Sequence, residues 1–142
     1  MEYKRDGMAK AVLIGGVVGG VLFFLLPLSI LPYILSGVIT AYLMGRGSPR
    51  SNMDYIIAGT LSGFIAGFVS WCLDTLFILT HVPSMVSQYM DMVPSMRDHF
   101  IELVYRESIV AVNNYKVNIP FYTIVGAISG FTGGILYGKL RR

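Results

Sequence analysis

The chain alternates long uncharged runs with short charged edges. No residue is charged from Ala11 to Gly45, from Tyr55 to Leu73, or from Val117 to Gly138. As one helix the first run would extend about 50 Å, against a bilayer hydrocarbon core of about 30 Å. It must therefore fold back on itself. Pro27 and Pro32 mark the turn, because proline removes a backbone donor and disfavours helix in the residue before it. The pattern predicts four spans, at about residues 9–26, 29–45, 55–79 and 119–138. Trp71, near the end of the third uncharged run, is a residue type suited to the membrane interface. That helix is expected to continue past Asp74 through TLFILTH and to stop before Pro83.

Residues 82–117, between the third and fourth spans, are the one sizeable segment predicted outside the membrane. Ser95 followed by Asp98 has the form of a capping box, with Pro94 just ahead of the expected helix start. In the helix that follows, Met96, Phe100, Leu103, Val104, Val110 and Ala111 fall on one side, and Asp98, Glu102 and Arg106 line another. An amphipathic helix of this kind is expected along the membrane surface or as a cap on the bundle.

Within the spans the small residues repeat at four-residue spacing. Gly126, Gly130, Gly134 and Gly138 form one series, and Gly59, Gly63 and Gly67 another; the two stretches align as GTLSGFIAG and GAISGFTGG. Gly37, Ala41 and Gly45 make a shorter stripe. Four residues is just over one helical turn, so each series leaves a groove without side chains along one face. In water such glycines would weaken a helix by up to about 1 kcal/mol each relative to alanine. In a bilayer the backbone has no other hydrogen-bond partner, and the groove admits a neighbouring backbone. The second and fourth spans also share a pattern, LPYILSGVITAYLMGR and IPFYTIVGAISGFTGGILYGK, which predicts a hairpin used twice about an axis along the membrane normal.

Composition agrees with a membrane chain: of 142 residues 54% are hydrophobic and 13% charged, where a soluble domain carries about 25% charged. The net charge of +3 does not point to nucleic acid, because the basic residues flank apolar runs and form no continuous patch. They point to topology instead. Lys4, Arg5 and Lys10 precede the first span, Arg46 and Arg50 lie in the loop before the third, and Lys139, Arg141 and Arg142 end the chain. The first turn has no basic residue, and the three in the long segment (Arg97, Arg106, Lys116) are offset by Asp91, Asp98, Glu102 and Glu107. Both termini are thus predicted to be cytoplasmic in a multi-pass protein of the cell membrane. The basic start lacks the small-x-small site of a cleaved leader and reads as a retained first helix.

Candidate chemistry is sparse. GGILYGKL resembles a phosphate loop but has Leu140 where Ser or Thr should hold Mg²⁺, and GGVVGG at residues 15–20 fails the dinucleotide spacing. Cys72 is the lone cysteine, so no intrachain disulfide or cysteine-based zinc site can form. Met85, Met90, Met92 and Met96 with His81 and His99 are ligand types for Cu(I), but methionine is also a common apolar filler. Asp74 is the one acid near the apolar interior, a residue type that marks ion or proton pathways, with His81 as a possible partner; about nineteen apolar residues before it equally place it at the outer interface. Ser36, Thr40, Ser62, Ser70, Ser129 and Thr132 are expected to bond helix carbonyls or neighbours. No catalytic constellation assembles, so no enzyme, cofactor or metal site is expected.

The glycine-striped spans, the GG-rich first helix, the LP-type turn and the tail GILYGKL before two arginines resemble small archaeal four-span membrane proteins of unknown function, DUF5518-like. The resemblance covers the spans and leaves residues 82–117 looking like an insertion; it implies no activity. The expected fold is all-α: a polytopic four-helix transmembrane bundle of two hairpins with glycine-zipper packing and an external amphipathic helical segment. The expected role is structural, in assembly or as an accessory subunit, within the lipid bilayer and a homo-oligomer or larger membrane complex. The alternative is a small channel or transporter with Asp74 near its outer mouth.

Overall fold

The structure is a computed structural model and describes residues 2–26, 29–46, 50–89 and 94–141. These form five helices: α1 (Glu2–Leu25), α2 (Leu31–Gly45), α3 (Asn52–Tyr89), α4 (Pro94–Asn113) and α5 (Tyr115–Leu140). Three stretches are long and apolar enough to cross a membrane: Gly7–Leu25 in α1, Asn52–His81 in α3 and Tyr115–Leu140 in α5. α2 is apolar but has only 15 residues.

The helix ends differ from the pattern-based expectation in several places. Pro27 lies outside the described residues, and Pro32 sits in the first turn of α2, where its missing N–H would have had no intrahelical partner. Ser29 Oγ accepts the Leu31 N–H there at 3.1 Å. α3 does not stop before Pro83; it continues to Tyr89, although an interior proline removes one backbone donor and crowds the carbonyl one turn back. Likewise α5 starts at Tyr115, a turn ahead of residue 119, so Pro120 lies inside it. The capping box expected at Ser95 is displaced, because α4 already begins at Pro94. A reciprocal cap forms instead at the start of α3. The Asp54 N–H donates to Ser51 Oγ at 3.3 Å, and the Ser51 N–H donates to Asp54 Oδ2 at 3.2 Å.

Helices α1, α2, α3 and α5 make one bundle. α3 and α5 share the most extensive contact, α1 packs on both α2 and α3, α2 packs on α5, and α2 also meets α3 across the centre. Among the described residues the backbones of α1 and α5 do not come together; only the Phe23 and Tyr122 rings bridge them. The cross-section is thus a rhombus with α2 and α3 on its short diagonal. A two-fold relating the hairpins α1–α2 and α3–α5 would require an α1–α5 contact to match α2–α3, so the repeat seen in the sequence does not close into that symmetry.

Burial is inverted relative to a soluble domain. The largest fully buried side chains are Tyr33, Tyr55, Thr40, Ser36, Ser62 and Ser70, while Leu13, Val17, Phe64, Phe68, Ile124 and Ile128 stand exposed on the outside. Small and hydroxyl-bearing residues face in and bulky apolar ones face out, as a lipid solvent requires. α4 stands apart: it meets α3 and α5 only lightly, and its Leu103 and Val110 are exposed and do not cap the bundle.

Candidate functional site

Six of the seven singled-out glycines face one another across α3 and α5. The two helices run antiparallel in a four-residue register. A Cβ built on Gly59 would fall 2.5 Å from the Gly130 carbonyl oxygen, and one on Gly134 2.5 Å from that of Tyr55. Between these, Gly63 and Gly126 would each collide with the other's carbonyl, Gly130 with that of Gly59, and Gly67 with that of Tyr122. Backbone therefore lies on backbone for three consecutive turns. Gly138 differs, since its Cβ would meet only Asn52 Oδ1 at 3.4 Å.

Other glycines extend the pattern. On α5, Gly133 abuts the Ile34 carbonyl, and Gly37 of α2 meets Gly130, so α5 offers a second bare face to α2. The run GGVVGG, which fails as a dinucleotide motif, serves packing. Gly15 and Gly19 face Ser36 and Thr40 of α2, and Gly16 and Gly20 face Ile65 and Val69 of α3. Two adjacent glycines repeated one turn later make two neighbouring grooves, which fit α1 into the crevice between α2 and α3.

Beside the glycine face, α3 carries a second stripe at the same spacing: Ala58, Ser62, Ala66, Ser70 and Asp74. Its hydroxyls meet those of α2. Ser36 Oγ donates to the Tyr33 carbonyl at 2.8 Å and Ser70 Oγ to the Gly67 carbonyl at 2.9 Å. Each proton is committed to its own helix, so the remaining oxygens act as acceptors between helices. The Tyr33 hydroxyl then donates to Ser70 Oγ, and Ser62 Oγ donates to Ser36 Oγ at 3.2 Å. Thr40 Oγ1 reaches the Ser36 carbonyl at 2.8 Å and the Ala11 carbonyl at 3.3 Å, tying α2 to α1. Thr123 and Ser129 of α5 donate to the carbonyls of Ile119 and Val125, each at 2.8 Å.

Asp74, partly buried, ends this stripe. The Tyr122 hydroxyl of α5 donates to its Oδ2 at 2.9 Å. The Phe23 ring stacks on Tyr33 with centroids 4.3 Å apart and meets Tyr122 edge-on at 6.2 Å, so α1, α2, α3 and α5 converge here. His81 is not the partner of Asp74. It stacks on Phe77, and its Nδ1 lies 3.2 Å from the Phe77 carbonyl and 3.0 Å from Thr80 Oγ1. The side chains of Met85, Met90, Met92 and Met96 lie outside the described residues, and among the described residues no group of three His, Cys, Asp or Glu could hold a metal.

At the opposite end the Arg141 guanidinium donates to the hydroxyl of buried Tyr55, whose ring meets Tyr137 edge-on at 5.4 Å. Arg46 lies 5.3 Å over the Tyr42 ring. The C-terminal ends of α2 and α5 thus each set an arginine on an aromatic face, an arrangement worth about 0.5–1 kcal/mol at exposed sites.

The sequence reading missed Tyr33, Tyr122 and the α1 glycines. The serine spacing from Ser62 to Asp74 was visible as a stripe; the tyrosines that answer it come from elements distant in sequence. No match was found among curated proteins or among solved structures. A family match does exist, to the MJ1491 transmembrane domain and not to the DUF5518-like group, and it runs through residues 82–117, which the resemblance had set apart. Matched over residues 9–142, a chain of bare-faced apolar helices with a hydroxyl-lined interior, this protein belongs to the MJ1491 transmembrane domain family.

Proposed function

We propose that the chain crosses the bilayer four times, with both ends cytoplasmic, and acts without catalysis as a structural, assembly or accessory subunit in the cell membrane. α2 takes part as a span despite its length of about 22 Å at 1.5 Å per residue; its flanking Ser29, Ile30 and Arg46 complete the crossing. The observation that carries the reading is the glycine register of α3 on α5, in which backbone fills the space a conduit would need. The interior serines and threonines support it, because Ser36, Thr40, Ser62 and Ser70 bond helix carbonyls or one another. The basic residues Arg46, Lys139 and Arg141, gathered at one end of the bundle, support the orientation.

A second reading, a small channel or transporter, draws on one feature: Asp74 and Tyr122 place a carboxylate and a phenol where all four bundle helices converge. Flux through liposomes holding the purified protein separates the two. The scaffold reading expects ion and proton flux equal to that of empty liposomes, for the native chain and for Asp74→Asn alike. Flux that appears with the native protein and is lost in Asp74→Asn would establish transport instead.

A further inference from the structure

α4 is a helix of 20 residues without a seat. None of its described side chains is buried: Leu103 is 52% exposed, Tyr105 60%, Ile109 42% and Val110 49%. A helix of this length held by neither propensity nor packing is marginal in water. One face is better organised than the rest. His99, Glu102, Leu103, Arg106 and Val110 line a single shallow groove, and at 100° per residue they fall within an arc of about 100°. The arc has the width of a helix–helix contact stripe, with Leu103 and Val110 one heptad apart.

The order of charges on that face indicates its occupant. Glu102 precedes Arg106 by one turn, and both are exposed. Turned end over end, the same face presents arginine before glutamate, so it is complementary to itself. We infer that this face of α4 docks antiparallel on α4 of a second copy of the chain, across a two-fold axis passing near residue 104. Glu102 of each copy then meets Arg106 of the other, Leu103 lies beside the axis against its own counterpart, and Val110 runs alongside His99. The contact is isologous, the commonest form of oligomer interface. A lipid surface fits less well: membrane-lying helices are rich in Lys and Arg, whereas α4 carries two arginines against three acids, a net charge of −1. The inference rests on the proposed placement of residues 82–117 outside the membrane and names the partner in the homo-oligomer expected there.

The test uses two charge variants of the full chain carrying different tags and produced together in one membrane. Glu102→Arg gives a face with two positive charges, and Arg106→Glu a face with two negative ones. Each variant alone is expected to form about tenfold fewer crosslinked dimers than the native chain at low salt, and the co-expressed pair to regain native levels as mixed dimers. Charge pairing within one helix cannot produce that recovery, because mixing leaves each helix unchanged. Leu103→Cys, in a Cys72→Ser background, is expected to form a disulfide-linked dimer on mild oxidation. Thermal stability of the bundle should be unchanged in every α4 variant, which separates failure here from failure of the bundle itself. The inference is overturned if either charge variant dimerises like the native chain, if the mixture stays as low as its components, or if the native chain yields no dimer and Leu103→Cys no disulfide.

Discussion

Helices α4 and α5 follow each other directly, have comparable length, and fare in opposite ways. α5 has five glycines and buries a face against α2 and another against α3; α4 has none, is not short of leucine, isoleucine and valine, and buries no described side chain. Hydrophobicity does not decide alone which helix joins the bundle: α4 carries five charged residues where α5 carries two, and it also lacks the glycines that bring α5 close to its neighbours. In lipid an apolar side chain gains little by leaving its surroundings, so association depends on how closely backbones can approach. The glycines supply the approach, and the bulky residues of the bundle helices turn outward.

That contrast can be broken most sharply at its centre. Leucine at Gly63 or Gly130 would occupy space already held by the facing backbone, and overpacking typically costs about 1–3 kcal/mol, with the upper end expected where the obstacle is backbone. Each variant is expected to lose cooperative thermal unfolding in detergent; native-like melting would refute the backbone contact as the source of stability. A smaller effect is expected at the hydroxyl seam. Tyr33→Phe removes the donor to Ser70 Oγ and should lower stability by about 0.6–1.5 kcal/mol, readable by denaturant titration in mixed micelles. Gly138→Ala comes next, since only Asn52 lies near the new methyl group. It should leave the melting point unchanged or raise it slightly, because alanine is the better helix former by about 1 kcal/mol. The smallest effect falls on the outer surface, where Phe64→Leu on the exposed side of α3 is expected to shift stability by less than about 0.5 kcal/mol. If this change matched Gly63→Leu in magnitude, the assignment of inner and outer faces would be wrong.

The glycine spacing on α3 and α5 was legible because a four-residue repeat maps directly onto one helical face, and the register across the two helices follows from it. The α1 run GGVVGG carried the same information but was weighed against a nucleotide motif. Helix ends were less legible. Pro83 reads as a stop and Pro120 as the entry to a span, yet both lie inside helices; Ser51 and Asp54, which do cap a helix, have the same spacing as Ser95 and Asp98, so the spacing alone does not tell which serine caps. The convergence of Phe23, Tyr33, Tyr122 and Asp74 could not be read at all, because it depends on which helices neighbour each other, and apolar patterning leaves that order open.

The double groove of α1 bears on how the protein is made. Its seat is built jointly by α2 and α3, which leave the ribosome later, and α3 in turn is clasped by α5, which leaves last. The N-terminal helix can therefore be fully seated only once α3 has joined α2, and the α3–α5 seam closes only after α5 has been made.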